Sequence, residues 1–340
     1  MSEIYLMPPE ERQLFFDTAV VESGISNAII EKDFWVVWTL ERLFSINELE
    51  RHLTFKGGTS LSKVYGLIHR FSEDIDLSIE KSFFGFDGDK DPEKAASKKK
   101  QRASIESLAA ACSKYVQTEM LELLRKNIAE KLKTSAGWDL RVDPRDPDSQ
   151  TLLFDYPTLT PKGGYIEASV KIEMGARSEH WPVSEQKVQS YLKETLKEKV
   201  TENEVTVRVL NAERTFWEKA TILHQYAHFP NEKPSPRRIS RHYYDFFCLL
   251  NSDVKNKALT DVSLLERVAN HKSVYFASAW ANYSSARKGT LKLTPPTSIV
   301  KELEADYELM SSMFYKERPD WKSILSTIEK FELEFNSERT

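Results

Sequence analysis

The chain has 340 residues, with 48 Lys and Arg against 52 Asp and Glu and a formal charge of −4. That length supports about two domains, and 40% hydrophobic with 29% charged residues excludes a wholly disordered chain. Two cysteines, Cys112 and Cys248, exclude a disulfide framework or a cysteine-based zinc site, and without a signal-like N-terminus or an apolar run of about 18 residues the expectation is a cytoplasmic protein away from membranes.

Pro8 and Pro9 predict a helix start, Leu14, Phe15, Thr18 and Val21 recur at helical spacing, and Gly24 predicts a stop. Ser26 or Asn27 can cap a second helix with the stripe Ile30, Phe34, Val37 and Trp38. Together these helices are expected to form a cover, residues 1–50. Thr54 to Lys56 reads as a strand, Gly57-Gly58 as a turn and Thr59 to Tyr65 as a helix. From Asp74 to Ile79 the alternation is strict, so Asp74, Asp76 and Ser78 point one way while Ile75, Leu77 and Ile79 point the other.

Phe86 to Lys100 reads as a Lys-rich mobile loop. It leads into a long helix with the inward stripe Ile105, Leu108, Cys112, Tyr115, Leu123 and Ile128. Strands broken by Pro144, Pro147, Pro157 and a Pro161-Lys162-Gly163-Gly164 turn follow between Leu140 and Met174. The best alternating run, Tyr165 to Met174, puts Glu167, Ser169, Lys171 and Glu173 on its polar face. A polar linker around Glu179 to Glu204, a strand at Val205 to Leu210 and helices thereafter place a domain boundary near Asn211. Residues 51–210 are thus a core and 211–340 a helical C-terminal domain.

Two carboxylates at i and i+2 on a strand lie roughly 7 Å apart on one face, a geometry in which both can hold divalent cations. Asp74 and Asp76 meet it. Glu173 is the candidate third acid, with Glu167 on the same run as the alternative. The Gly57-Gly58-Thr59-Ser60 turn allows backbone N–H groups and hydroxyls to meet a polyphosphate at a helix start. Lys219 lies on an apolar helical stripe, and Asp245, set among Tyr243, Tyr244, Phe246 and Phe247, needs a cationic partner such as Lys219 or Arg241. Basic clusters at Lys94, Lys98, Lys99, Lys100 and Arg102, and at Lys233, Arg237, Arg238 and Arg241, can meet nucleic-acid phosphates. His224 and His228 have a metal-ligand spacing without a third ligand, and the tryptophans fall on helical core stripes.

The run Phe55-Lys56-Gly57-Gly58-Thr59-Ser60-Leu61-Ser62-Lys63, followed by Arg70-Phe71-Ser72-Glu73-Asp74-Ile75-Asp76-Leu77-Ser78, resembles the AbiEii/AbiGii toxin family of nucleotidyltransferases, to which the MenT toxins are related. Ile30 to Val36 and Val170-Lys171-Ile172-Glu173 resemble further family segments, as do Glu213-Arg214 to Glu218-Lys219-Ala220 and Arg241-His242-Tyr243-Tyr244-Asp245, which bring the resemblance to roughly Glu31–Leu250. Two departures stand out. Fourteen residues separate Thr59 from Asp74, more than the superfamily's usual spacer, and His242 stands where many relatives carry an acid.

The resemblance implies an α/β (α+β) DNA polymerase β-like core with a mixed sheet. It implies Mg²⁺ (or Mn²⁺) held by Asp74, Asp76 and Glu173, nucleotide contacts from Gly57, Gly58, Thr59, Ser60, Lys63 and Lys219, and Asp245 fixing Lys219. It further implies the toxin of a toxin–antitoxin or abortive-infection system, which transfers NMP from an NTP to the 3′ acceptor end of tRNA and is opposed by a cognate antitoxin. Transfer to a protein or small molecule, or a non-catalytic nucleotide-binding module, are the alternatives.

Overall fold

The computed structural model describes residues 3–134, 136–159, 167–201, 204–233 and 237–337; the Pro161 to Gly164 turn and Tyr165 lie outside the described residues. The chain divides into two compact units, Met1–Val64 with Phe71–Leu210, and Tyr65–Arg70 with Asn211–Thr340. No helix among the described residues is long and apolar enough to cross a membrane.

The first unit is built on a mixed sheet of β1 (Leu53–Lys56), β2 (Asp74–Ile79), β3 (Asp139–Val142), β4 (Thr151–Asp155), β5 (Val170–Gly175), β6 (Val183–Val188) and β7 (Val205–Leu210), in the order β3-β4-β5-β2-β1-β7-β6. The β2–β5 and β1–β7 pairs are parallel and the other neighbours antiparallel. Because β2 alternates strictly, one sheet face is apolar: Ile75 and Leu77 lie in register with Ile172 and Met174 of β5, and all four are buried.

Helices α1 (Pro9–Ser23) and α2 (Asn27–Phe44) precede the sheet. α2 packs on the apolar face, where Trp35 and Trp38 meet Phe154 of β4 and Trp35 stacks on Tyr156. Fourteen of its eighteen residues are buried there. Even its charged triplet is buried, and each member has an internal partner: Glu31 accepts from the Thr158 hydroxyl and the Leu159 N–H, Lys32 meets Glu73 at 2.6 Å, and Asp33 meets Lys63. Charge patterning alone places such a triplet on a solvated face; partners distant in sequence reverse that. In α1 the expected stripe is also displaced. Leu14 and Val21 are exposed, whereas Arg12, Phe16 and Ala19 are buried, Phe16 against Phe34 and Arg12 over the Trp35 ring.

Three further expectations change. The Lys98–Lys100 run is the first turn of α4 (Lys98–Tyr115), capped by the Ser97 hydroxyl, not part of a loop. Between α4 and α5 (Leu121–Leu132) a π-helical turn at Val116–Met120 adds a residue and shifts the helical phase, so Leu124, not Leu123, faces the core with Ile128. The supposed linker 179–204 contains β6 and the short α6 (Tyr191–Leu196). β6 pairs with β7 at the sheet edge, where an exposed strand needs no apolar alternation to form.

The second unit is helical: α7 (Ala212–Ala227), α8 (Ser240–Leu250), α9 (Asp253–Thr260), α10 (Ser263–Tyr275), α11 (Val300–Leu309) and α12 (Trp321–Ser337). Its core gathers Phe216 and Trp217 of α7, Phe246 of α8, and Phe331 and Phe335 of α12 in tilted and edge-to-face ring contacts. The segment Tyr65–Arg70, which follows α3 (Gly57–Lys63), is docked here: the His69 N–H donates to the Tyr244 hydroxyl, the Tyr315 hydroxyl donates to the Ile68 carbonyl, and Arg70 bridges Phe314. The long spacer between Thr59 and Asp74 thus has a structural use.

Candidate active site

The polar sheet face carries the acidic residues. Parallel pairing of β2 with β5 sets Asp74 beside Lys171 and Asp76 beside Glu173, and antiparallel pairing sets Lys56 beside Asp76 and Thr151 beside Glu173. Register partners share a face, so Asp74, Asp76 and Glu173 point the same way. Glu167 does not join them. β5 begins only at Val170, and Glu167 lies ahead of it, 68% exposed, with Arg145 at 3.7 Å. The expected longer strand stops short of it.

Lys171 is the cation among these acids. Its ammonium pairs with Glu173, and although partial burial pulls that ammonium down, Glu173, Asp74 and Asp143 outweigh burial and hold it above its ordinary range. With Glu173 turned toward Lys171, no three His, Cys, Asp or Glu side chains among the described residues converge to hold a metal ion. The aspartate pair nonetheless suits Mg²⁺, which keeps several waters and needs one or two carboxylates plus substrate phosphates rather than a full protein cage. Lys171 already shows that this face attracts positive charge.

Gly57 opens α3 against Asp76. A Cβ there would lie 2.0 Å from Asp76 Oδ2, and the backbone φ is +80°, so side chain and conformation both require glycine. Gly57→Ala is expected to displace Asp76, lower stability by about 1–3 kcal/mol through the left-handed backbone, and reduce activity at least about tenfold, roughly one hydrogen bond to a charged group. Urea unfolding and initial rates together check this, and a variant with native values in both would refute it.

The hydroxyls that follow Gly57 and Gly58 are spent within the fold. Thr59 is fully buried, its hydroxyl donating to the Asp74 carbonyl and meeting Ser72, while the Ser60 hydroxyl donates to the Gly57 carbonyl at 2.9 Å. Their observed work is to lock α3 to the start of β2. Both hydroxyls are thus engaged within the fold, and the backbone N–H groups of the turn are further candidate donors. Lys63 is also turned inward: its side chain is 2% exposed, and its ammonium meets Asp33 at 3.0 Å and lies 3.6 Å from the Tyr191 ring centroid.

Burial raises the Asp33 carboxyl from 3.8 to about 6, despite Lys63 and the Tyr191 N–H. Between those pH values the folded chain holds a proton that the unfolded chain has released, so this group removes stability as pH rises through the window. Asp33→Asn should therefore flatten the decline in unfolding free energy between about pH 4 and 6. Urea midpoints across that range measure it, and a slope equal to that of the wild type counts against the account.

Within the helical unit, Lys219 of α7 and Asp245 of α8 meet at 2.7 Å. The second partner of Asp245 is Arg70, whose Nε and Nη2 donate to its two oxygens at 2.7 and 2.9 Å. Burial alone would raise the Asp245 carboxyl; the charges and hydrogen bonds of Arg70 and Lys219 outweigh it and hold the group well below the usual carboxylate range. Lys219 is lowered, chiefly by burial and further by Arg70 and Arg241, with Asp245 opposing. His242 Nδ1 stands 3.1 Å from the Lys219 ammonium.

Residue pattern did not find Arg70 or Lys171 as site residues. Arg70 lies in the quoted motif, four residues before Asp74, and its charge was the available signal; Lys171 was visible as the i−2 neighbour of Glu173. His224 is occupied structurally, its ring nitrogens meeting the Lys292 N–H and the Asn282 carbonyl. Lys94, Lys98, Lys99, Lys100, Arg102, Lys233, Arg237 and Arg238 are exposed.

The profile of the family described as nucleotidyl transferase AbiEii toxin, type IV toxin–antitoxin system, matches residues 38–331. Among solved structures, MenT4, a nucleotidyltransferase toxin from Mycobacterium tuberculosis, is similar at 15% identity with a TM-score of 0.46, over 94% of this chain and 96% of that one. No curated protein matches.

Proposed function

Because the chain belongs to the AbiEii family of nucleotidyl transferase toxins of type IV toxin–antitoxin systems, we propose that it transfers a nucleoside monophosphate from an NTP to the 3′ end of tRNA in the cytoplasm, with Mg²⁺ bound at Asp74 and Asp76. The observation that carries the catalytic reading is the shared face of β2 and β5, on which Asp74, Asp76 and Glu173 stand in register. Glu173 joins the aspartates once it releases Lys171. Mg²⁺ at such a pair neutralises phosphate charge and favours the ionised form of an attacking hydroxyl.

The chain's own residues supply the rest. One of Asp74 and Asp76 accepts the proton of the acceptor hydroxyl as that oxygen attacks the α-phosphorus, and pyrophosphate leaves. The turn at Gly57 and Gly58 contacts the phosphates through backbone N–H groups. Lys219, held by Asp245 within the helical unit, is that unit's candidate cation for a phosphate, and neutralisation of phosphate charge is the effect by which phosphoryl transfer is chiefly accelerated. Residues 51–210 then act as the catalytic core and 211–340 as the domain carrying Lys219. The exposed basic clusters support a polyanionic acceptor, and the family places an antitoxin opposite the toxin.

Incubating the purified chain with Mg²⁺, total tRNA and each of four α-labelled NTPs tests the acceptor. Label on tRNA supports the proposal and identifies the nucleotide. Label on protein instead moves the acceptor to a side chain, and omission of tRNA without loss of labelled product refutes the RNA reading.

A further inference from the structure

Lys171 has had no part in the mechanism above beyond its contact with Glu173. It stands on the polar face of β5, two residues before Glu173 and directly opposite Asp74 of β2, so its stem rises from the same patch of sheet as the carboxylates proposed to hold the metal. Its ammonium pairs with Glu173, and the charges of Asp74 and Asp143 act on it as well. Among the described residues Glu173 pairs with no other cation.

Two features make this contact exchangeable. The Lys171 and Glu173 side chains are 33% and 41% exposed, and an ion pair that open to water adds little to stability, so Glu173 can leave it at small cost. Lysine also carries a compact charge on a flexible four-carbon stem, which can swing into solvent while β5 keeps its register. An ammonium and a divalent cation draw on the same carboxylate oxygens. Glu173 therefore serves one or the other.

We propose that Lys171 is a tethered counter-cation that competes with the divalent ion for Glu173, so that the third carboxylate enters the metal site by exchange and Lys171 sets the affinity of that site. This rests on the reading of Asp74 and Asp76 as metal carboxylates. The consequence is a site that holds free metal weakly and depends on the oxygen ligands of a nucleotide's phosphates to hold it well.

The probe is Mn²⁺ alone, titrated calorimetrically into the full chain without nucleotide, with circular dichroism to verify folding. Lys171→Met is expected to bind Mn²⁺ about five- to tenfold more tightly, since both a competitor and a nearby like charge are removed. Lys171→Gln should do the same, so the result does not hang on the folding of one variant. Lys171→Arg keeps the charge and should stay within about threefold of wild type. Adding Glu173→Gln to Lys171→Met should reverse at least about threefold of the gain, because the third carboxylate is then gone.

Unchanged or weaker binding in Lys171→Met and Lys171→Gln overturns the proposal, as does a gain in Lys171→Arg equal to theirs, which would make shape and not charge the cause. A double variant that binds as tightly as Lys171→Met also overturns it, since Glu173 would then have joined no metal. Asp74→Asn distinguishes the underlying reading. If it binds Mn²⁺ as wild type does, the metal assignment and the proposal fall together; if it loses Mn²⁺ while the Lys171 variants match wild type, only the role of Lys171 falls.

Discussion

Asp74→Asn is expected to reduce kcat/KM for nucleotidyl transfer by about 10³-fold or more, because under the proposed metal assignment the loss of this carboxylate forfeits roughly 4 kcal/mol of transition-state stabilisation. Asparagine keeps the shape of the side chain, and the Thr59 hydroxyl bonds the Asp74 main-chain carbonyl, which the substitution leaves in place. The fold should therefore survive. Binding of Mn²⁺ to the same variant, measured calorimetrically, should be lost together with activity.

Glu173→Gln forms the natural comparison. Its carboxylate is held by Lys171, so its removal should cost about tenfold less than that of Asp74, within the range of a residue that supports a metal ligand. Glu167→Gln should be silent, since Glu167 stands ahead of β5 and outside the register with Asp76. Transfer by Asp74→Asn at near the wild-type rate would eliminate the metal assignment, and a larger effect at Glu167 than at Glu173 would reverse the choice of third acid.

The largest effect on stability is expected from Asp245→Ala. Its side chain is 0% exposed and neutralises Arg70 and Lys219, which are 4% and 8% exposed. Without it two neighbouring cations stay buried with no counter-charge from Asp245, a change that costs about 3–5 kcal/mol. A fall of that size in unfolding free energy should appear as a lower urea midpoint at an unchanged m-value. Lys219→Met removes one cation and leaves the bidentate Arg70–Asp245 pair whole, so it should destabilise far less while still impairing catalysis. An Asp245→Ala midpoint equal to that of the wild type would show that the cluster contributes nothing to the fold.

Local pattern carried much of this architecture. Strict alternation from Asp74 to Ile79 marked a strand with an acidic face, because side chains on a pleated strand point to opposite sides in turn. Gly57 beside a short strand marked a turn, the strand at Val205 to Leu210 was legible from its own alternation, and the helical run after Asn211 from its apolar spacing. The motif run from Phe55 to Ser78 pointed to the family, since chemistry-bearing residues and their order are one-dimensional information.

Partners and phase were decided by the tertiary structure. Asp245 finds Arg70 at a separation of 175 residues, and Lys63 finds Asp33 at 30, partners that no local pattern announces. Thr59 and Ser60 looked available for a ligand, yet their hydroxyls bond the Asp74 and Gly57 carbonyls, since a buried hydroxyl must find an acceptor. A single π-turn rotated the inward stripe of α5, and sheet-edge pairing turned a polar stretch into β6. Periodicity records which face an element presents, a short-range property written in consecutive residues. Which charge neutralises which depends on chain closure over long separations, and in a buried setting that pairing determines whether a polar residue stabilises the fold or is left to meet a substrate.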